Sequence, residues 1–166
     1  MEGEVIIRRS GVEDLGKIMP VYESAKAYMR KEGNMSQWIG GYPSEQVILN
    51  DISKGNHYIA EREDGEVLAV FSFIIGDDPT YRLIEEGAWL DDEPYGTIHR
   101  IASTGVEPGM LAKCVDYCFG LIPNIRIDTH KDNRSMLNAI TRLGFQKCGV
   151  IYIADGSPRV AFQRHR

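Results

Sequence analysis

The sequence predicts an α/β (α+β) fold: a mixed central sheet with helices on both faces. Three observations carry that prediction. Strand-like and helix-like segments follow one another in the order β-α-α-α-β-β-β-α-β-α-β-β. Between Tyr95 and Phe145 they read strand, loop, helix, strand, helix, which is a crossover unit with a further helix behind it. The 166 residues, 43% hydrophobic and 26% charged, suffice for one core, so residues 1–166 are read as a single domain.

Residues 5–9 form the first strand. Ser10, with Glu13 three residues on, is the expected capping box of a helix whose apolar positions are Leu15, Ile18, Met19, Tyr22 and Ala25. Gly16 and Pro20 are expected to kink or split that helix before it continues to Lys31. Gly33 and Asn34 end it. Residues 35–43 are aromatic and glycine-rich without periodicity, so Trp38 and Tyr42 either plug the core or wall a pocket. Ser44 caps the next helix, which buries Val47, Ile48 and Ile52. Residues 56–62 and 67–75 are strands joined at Asp64-Gly65, and the second is apolar enough to be central.

Residues 81–95 are irregular and acidic, with a short helix expected near Leu83 to Glu86. They read as a solvated loop or as an acidic mouth for a cationic substrate. Residues 96–103 form a strand, 110–121 a helix stopped by Pro123, and 125–129 a strand. A helix at 134–143 is closed by Gly144, and strands at 146–153 and 159–164 flank a turn at Asp155-Gly156.

A net charge of −5 counts against nucleic-acid and anionic-membrane partners. No apolar run spans a bilayer, and Met1-Glu2-Gly3-Glu4 lacks the pattern of a secretory leader. Three cysteines, Cys114, Cys118 and Cys148, fit a reducing, cytoplasmic setting and form neither a disulfide framework nor a metal site. The loop at 104–109 precedes a helix, where free N–H groups attract phosphate. Gly105 and Gly109 permit close approach, whereas Glu107 would repel a phosphate and Pro108 lacks a donor. Alone, such a loop is more often just a turn.

His99-Arg-Ile-Ala-Ser103, Asp128-Thr-His130, Asp132-Asn133 and Leu143-Gly144-Phe145, in this order of elements, resemble the GNAT superfamily of N-acetyltransferases over essentially the whole chain. Residues 35–42 and Trp89 are similar to a bacterial subgroup of unassigned substrate. The resemblance implies acetyl-CoA as donor and a primary amine, on a small molecule or peptide, as acceptor. It also implies a sheet splayed between the fourth and fifth strands. The backbone of Ile101, Ala102 and Ser103 would then meet the pantetheine arm. Gly109, Met110, Leu111 and Ala112 would meet the pyrophosphate, and Asn133 would face the cofactor. The family's phosphate motif, laid on Val106 to Leu111, is matched at Gly109 but not at Val106 or Leu111. The tyrosine often placed five residues before the Phe of the Gly-Phe pair is here Ile140.

An acceptor amine needs a base, and His99 and His130 are the candidates near neutral pH. Each has a plainer reading, His99 as a core residue and His130 as a turn former. Glu85 and Glu86 could act through water, while Cys118 reads as packing. Arg126 and Asp128 are expected on one sheet face, where the simplest role is to pair. Trp38 and Tyr42 would wall the acceptor pocket. Two rival readings remain: a non-catalytic CoA-binding or ligand-sensing module, and a homodimerisation domain using a strand edge at Val160 to Phe162.

Overall fold

The computed structural model describes residues 4–166, so the chain start from Met1 to Gly3, read above for a leader, lies outside the described residues. In chain order the elements are β1 (Val5–Arg9), α1 (Leu15–Lys31), α2 (Glu45–Ser53), β2 (His57–Arg62), β3 (Val67–Ile75), β4 (Gly96–Ser103), α3 (Met110–Phe119), β5 (Asn124–Thr129), α4 (Arg134–Arg142), β6 (Gln146–Tyr152) and β7 (Pro158–His165). All the strands join one sheet in the order β1-β2-β3-β4-β5-β7-β6.

The apolar alternation of the strands sorts the core into layers. Phe71, Phe73 and Ile98 pack against Cys114, Val115 and Phe119 of α3 and Ile140 of α4. On the opposite face Ile59, Val70 and Ala102 pack against Ile18, Val21 and Tyr22 of α1 and Ile48 of α2. A smaller cluster on that second face joins Tyr81, Tyr95, Ile151 and Ala161.

Several local expectations need correction. The start of α1 is not capped by Ser10 and Glu13. The backbone N–H of Gly11 donates to Asp14 at 2.7 Å, and Ser10 turns inward instead. The helix runs unbroken through Pro20, which removes one intrahelical donor, because its buried face of Ile18, Val21, Tyr22 and Met29 outweighs that loss. At its end Gly33 adopts φ +89° and the N–H of Asn34 donates to Met29 at 2.8 Å. The hydroxyl of Ser44 accepts from the N–H of Val47 at 3.3 Å, as the capping pattern predicts.

No helix forms at Leu83 to Glu86. Glu85 pairs its backbone with Val150 of the outer strand β6 at 2.9 and 2.8 Å, satisfying groups an edge would leave open. Trp89 then donates to the carbonyl of Tyr81 at 2.8 Å. Arg126 lies 4.1 Å from the centre of the Trp89 ring and 3.9 Å from that of Tyr95. Arg126 and Asp128 therefore share a face without pairing, because the aromatic stack holds the guanidinium and Tyr81 holds the carboxylate. Val160 to Phe162 is not an edge either, since β7 is flanked by β5 and β6. No helix among the described residues is long and apolar enough to cross a membrane.

The feature that positions the site is a parting of strands. β4 and β5 run parallel and pair only at Gly96↔Ile125, Thr97↔Arg126 and Ile98↔Ile127. Beyond Ile98, β4 stays with β3 and β5 stays with β7.

Candidate active site at the parted strands

A bulge in β4 sets the geometry. Ser72 of β3 faces His99, yet Val70 faces Ala102, so β4 carries one extra residue there. That residue is Arg100, at φ +50° in the left-handed region. The bulge turns His99 and Arg100 to the same face, toward α1 and α2, while Ile101 packs on the α3 side. The strain is held from several directions. Arg100 Nε and Nη2 donate to the two carboxylate oxygens of Asp51 at 2.8 and 2.9 Å, and Nη1 donates to the Tyr42 hydroxyl at 2.9 Å.

Beneath the bulge lies a buried chain. The Tyr22 hydroxyl donates to the Arg100 carbonyl at 2.8 Å, which uses its only proton. His57 Nε2, 2.9 Å from that hydroxyl, must then carry a hydrogen, and Nδ1 must accept from Ser10 at 2.8 Å. His57 is thus neutral, and burial lowers its pKa to about 4.

A cavity of about 500 Å³ opens where the strands part. Its floor is Ile98 to Ile101 on one side and Ile127 to Thr129 on the other; Trp38 and Tyr42 wall it from the α1–α2 loop, and Arg159 from β7. His99 Nε2 lies 2.7 Å from Asp78 Oδ2. Burial alone would raise the Asp78 carboxyl, but hydrogen bonds from His99 and Thr80 outweigh it and bring it down to about 2. An ionised Asp78 requires the hydrogen on Nε2, which leaves Nδ1 as the basic nitrogen of neutral His99. Across the cavity Asp128 accepts from the Tyr81 hydroxyl, and burial raises its carboxyl above the usual range. Trp38, at φ +54°, serves both roles considered for it, packing edge-on against Tyr22 at 5.6 Å between ring centres and lining the cavity.

His130 does not line this cavity. Its Nδ1 accepts the backbone N–H of Asp132 at 3.0 Å and closes the turn into α4. Asn133 lines the cavity and caps α4 by accepting from the N–H of Met136 at 3.2 Å, while its amide donates to Gln37 at 3.2 Å. Glu85, Glu86, Asp91, Asp92 and Glu93 lie off the cavity wall. Asp91 is taken up by His165 at 2.7 Å and Asn124 at 3.0 Å. Cys118 is fully buried and burial raises its thiol, and Cys114 is pushed up to about 12, so neither is a ready nucleophile.

The other mouth of the gap suits a long phosphorylated thioester. From His99 to Ser103 the β4 edge that faces β5 has no strand partner, so backbone groups of Ile101, Ala102 and Ser103 are open to a ligand. The loop that follows ends at Gly109, φ +78°, and the N–H groups of Met110, Leu111 and Ala112 begin α3 without i−4 acceptors. A Cβ at Gly105 or Gly109 would meet nothing within 4 Å, so this surface is open to a bulky group. Glu107 does not repel from it. The side chain turns inward, to Lys113 at 2.9 Å and Arg62 at 3.2 Å, and is neutralised there. Ile140, at the position where a tyrosine was sought, is buried in the core.

Sequence reasoning missed Asp78, Asp128 and Arg159 as cavity residues, and Asp51 as the partner that holds Arg100. Only Asp78 left a local signal, an acidic N-cap directly before Pro79 at the end of a strand.

A scan against family models finds no match, and neither does a search of curated proteins. Solved structures do match. The chain is similar to a GNAT-family acetyltransferase from Streptococcus agalactiae 2603, at 32% identity over 100% of this chain and 98% of that one, with a TM-score of 0.87. A GNAT-family acetyltransferase from Listeria monocytogenes is 20% identical over 99% and 96%, with a TM-score of 0.74. A PaiA N-acetyltransferase from Thermoplasma acidophilum, solved in complex with coenzyme A, shares the fold at 14% identity over 98% and 99%, with a TM-score of 0.67. With a sheet that parts between β4 and β5 and a full-length relative at that first level of identity, the chain belongs to the GNAT family of acetyltransferases.

Proposed function

We propose that the protein is an N-acetyltransferase that moves the acetyl group of acetyl-CoA directly to a primary amine. One observation carries this reading: the open β4 edge and the His99–Asp78 pair meet at the point where β4 leaves β5. Acetyl-CoA supplies an activated thioester carbonyl. The open edge at Ile101 to Ser103 and the start of α3 at Gly109 to Ala112 would hold its pantetheine and pyrophosphate. Asn133 closes the far side of the gap.

The chain's own groups do the rest. His99 Nδ1 takes the proton that the amine must lose, and Asp78 holds the ring in the required tautomer. The amine nitrogen then bonds to the acetyl carbon, the carbon–sulfur bond breaks, and the second proton that the nitrogen sheds as it becomes an amide goes to the departing thiolate, while His99 returns its proton to solvent. Trp38 and Tyr42 keep the acceptor against β4 and exclude water. In this reading His130 is a turn former and not the base. The reading takes residues 1–166 as one domain and places it in the cytoplasm, where buried Cys114, Cys118 and Cys148 stay reduced.

The test is calorimetry with acetyl-CoA followed by free-thiol release over a broad amine panel. His99→Gln should lower kcat between about 100- and 10,000-fold with acetyl-CoA affinity unchanged. An unchanged kcat removes His99 from the chemistry, and absent binding at millimolar acetyl-CoA removes the whole reading. A second reading, a CoA-binding sensor without turnover, is favoured by the apolar burial of Ile140. It predicts tight coenzyme A binding and no thiol release with any amine.

A further inference from the structure

The cavity contains two arginines in opposite states. Arg100 has its whole fork occupied by Asp51 and Tyr42. Arg159 is 7% exposed, and its only hydrogen bond among the described residues is from Nη1 to the carbonyl of its own neighbour Pro158 at 2.9 Å. No carboxylate lies within salt-bridge reach of it among the described residues. A guanidinium this buried normally has a partner, because removing it from water without one is costly. Burial indeed lowers the affinity of Arg159 for its proton, with Asp128 and Asp155 too far away to compensate fully. The missing partner belongs in the cavity that Arg159 lines.

The placement of the other groups narrows what that partner is. Arg159 is the second residue of β7, diagonal to Asp128, which pairs with Ala161 in the sheet register. Asp128 and Arg159 are within electrostatic reach of one another without forming an ion pair. It accepts from Tyr81 on one oxygen, and its other oxygen has no partner among the described residues. Along one face the cavity thus offers a base at His99, a carboxylate at Asp128 and an unanswered guanidinium at Arg159. That order suits a molecule with a positive and a negative end.

We propose that the acceptor is a small zwitterion, an amine that also carries a carboxylate, with the carboxylate held by Arg159 and the amine placed between Asp128 and His99. This rests on the proposed acetyltransferase reading and selects among its acceptors. It favours amino acids over polyamines, which lack an anion. It also favours them over peptide N-termini, whose neighbouring carboxyl is an amide.

The test uses the proteinogenic amino acids with β-alanine and γ-aminobutyrate. Each is matched with the amide that neutralises its carboxylate and with the decarboxylated amine. Binding is read by calorimetry in the presence of coenzyme A, and turnover by thiol release with acetyl-CoA. At least one acid should bind and react, with its amide and its amine weaker by roughly 10- to 100-fold. Arg159→Gln should raise KM for the acid by a similar factor while leaving the amine unchanged, and Arg159→Lys should fall between. Circular dichroism and coenzyme A affinity should be the same in all three proteins, which separates recognition from folding. The proposal is overturned if amides or plain amines bind as well as acids, if no acid binds, or if Arg159→Gln weakens acid and amine alike. The acetyltransferase reading would fail differently, through absent acetyl-CoA binding or through acid binding without thiol release.

Discussion

The two walls of the gap between β4 and β5 are built on opposite principles. On the β4 wall every charge is answered within the chain. Arg100 meets Asp51, His99 meets Asp78, and at the strand's end Glu107 meets Lys113 and Arg62. On the β5–β7 wall the polar groups are left with capacity. Among the described residues Arg159 has one backbone carbonyl, Asp128 has one phenol, and the buried hydroxyl of Thr129 has no partner. The first wall fixes a strained geometry. The second leaves groups that a ligand could meet without displacing an internal partner. Burial of a charge therefore does not set the two walls apart; the presence or absence of an ionic partner within the chain does.

The sharpest way to break the contrast is Asp51→Ala. It strands Arg100, whose side chain is 13% exposed, and it also removes the acceptor of the Ser72 hydroxyl. The loss in unfolding free energy should be about 3–5 kcal/mol by urea denaturation. A loss under about 1 kcal/mol would mean the β4 wall does not depend on its pairs.

Next in size is a pH effect from His57, the buried anchor of that same wall. Its pKa falls from 6.5 in the unfolded chain to about 4 in the folded one. Its contribution is fully present above pH 6.5. As pH falls from 6.5 to about 4 the unfolded chain takes up a proton that the folded chain refuses, so stability declines through that window. The decline should reach about 3 kcal/mol, and His57→Gln should flatten it. A His57→Gln protein with the wild-type slope would place the titration elsewhere.

The smallest effect should come from Thr129→Val on the other wall. Replacing a hydroxyl that has no partner should change stability by no more than about 0.5 kcal/mol, or raise it. A loss beyond about 1 kcal/mol would show that this wall, too, is internally satisfied.

Local physics made most of the frame legible. Apolar alternation located the strands, Ser44 and Gly33 marked helix ends, and the order of elements pointed to the family and its splayed sheet. What the sequence concealed lies in partners distant along the chain. Asp51 and Arg100 are 49 residues apart, Tyr81 and Asp128 are 47 apart, and Asp78 and His99 are 21 apart. No periodicity joins such pairs. Pro20 misled because propensity counted a breaker without the burial that overrides it. Glu107 misled because a carboxylate beside a glycine loop looks outward until the inward cations are seen. The acidic run at residues 85–93 was read as one feature, but Glu85 bridges β6 through its backbone and Asp91 holds a histidine and two amides.

The bulge at Arg100 also bears on chain length. Without that residue β4 would alternate evenly, and His99, Ile101 and Ala102 would keep the faces they have now. Loss of the Arg100 codon would thus remove the bulge and leave the rest of the strand on its present faces. Deleting a residue outside the His99–Arg100 pair instead moves part of the strand to the opposite face of the sheet. The extra residue lines the cavity and adds nothing to the pairing of β3 with β4, so the length of this strand is matched to the cavity wall and not to the sheet.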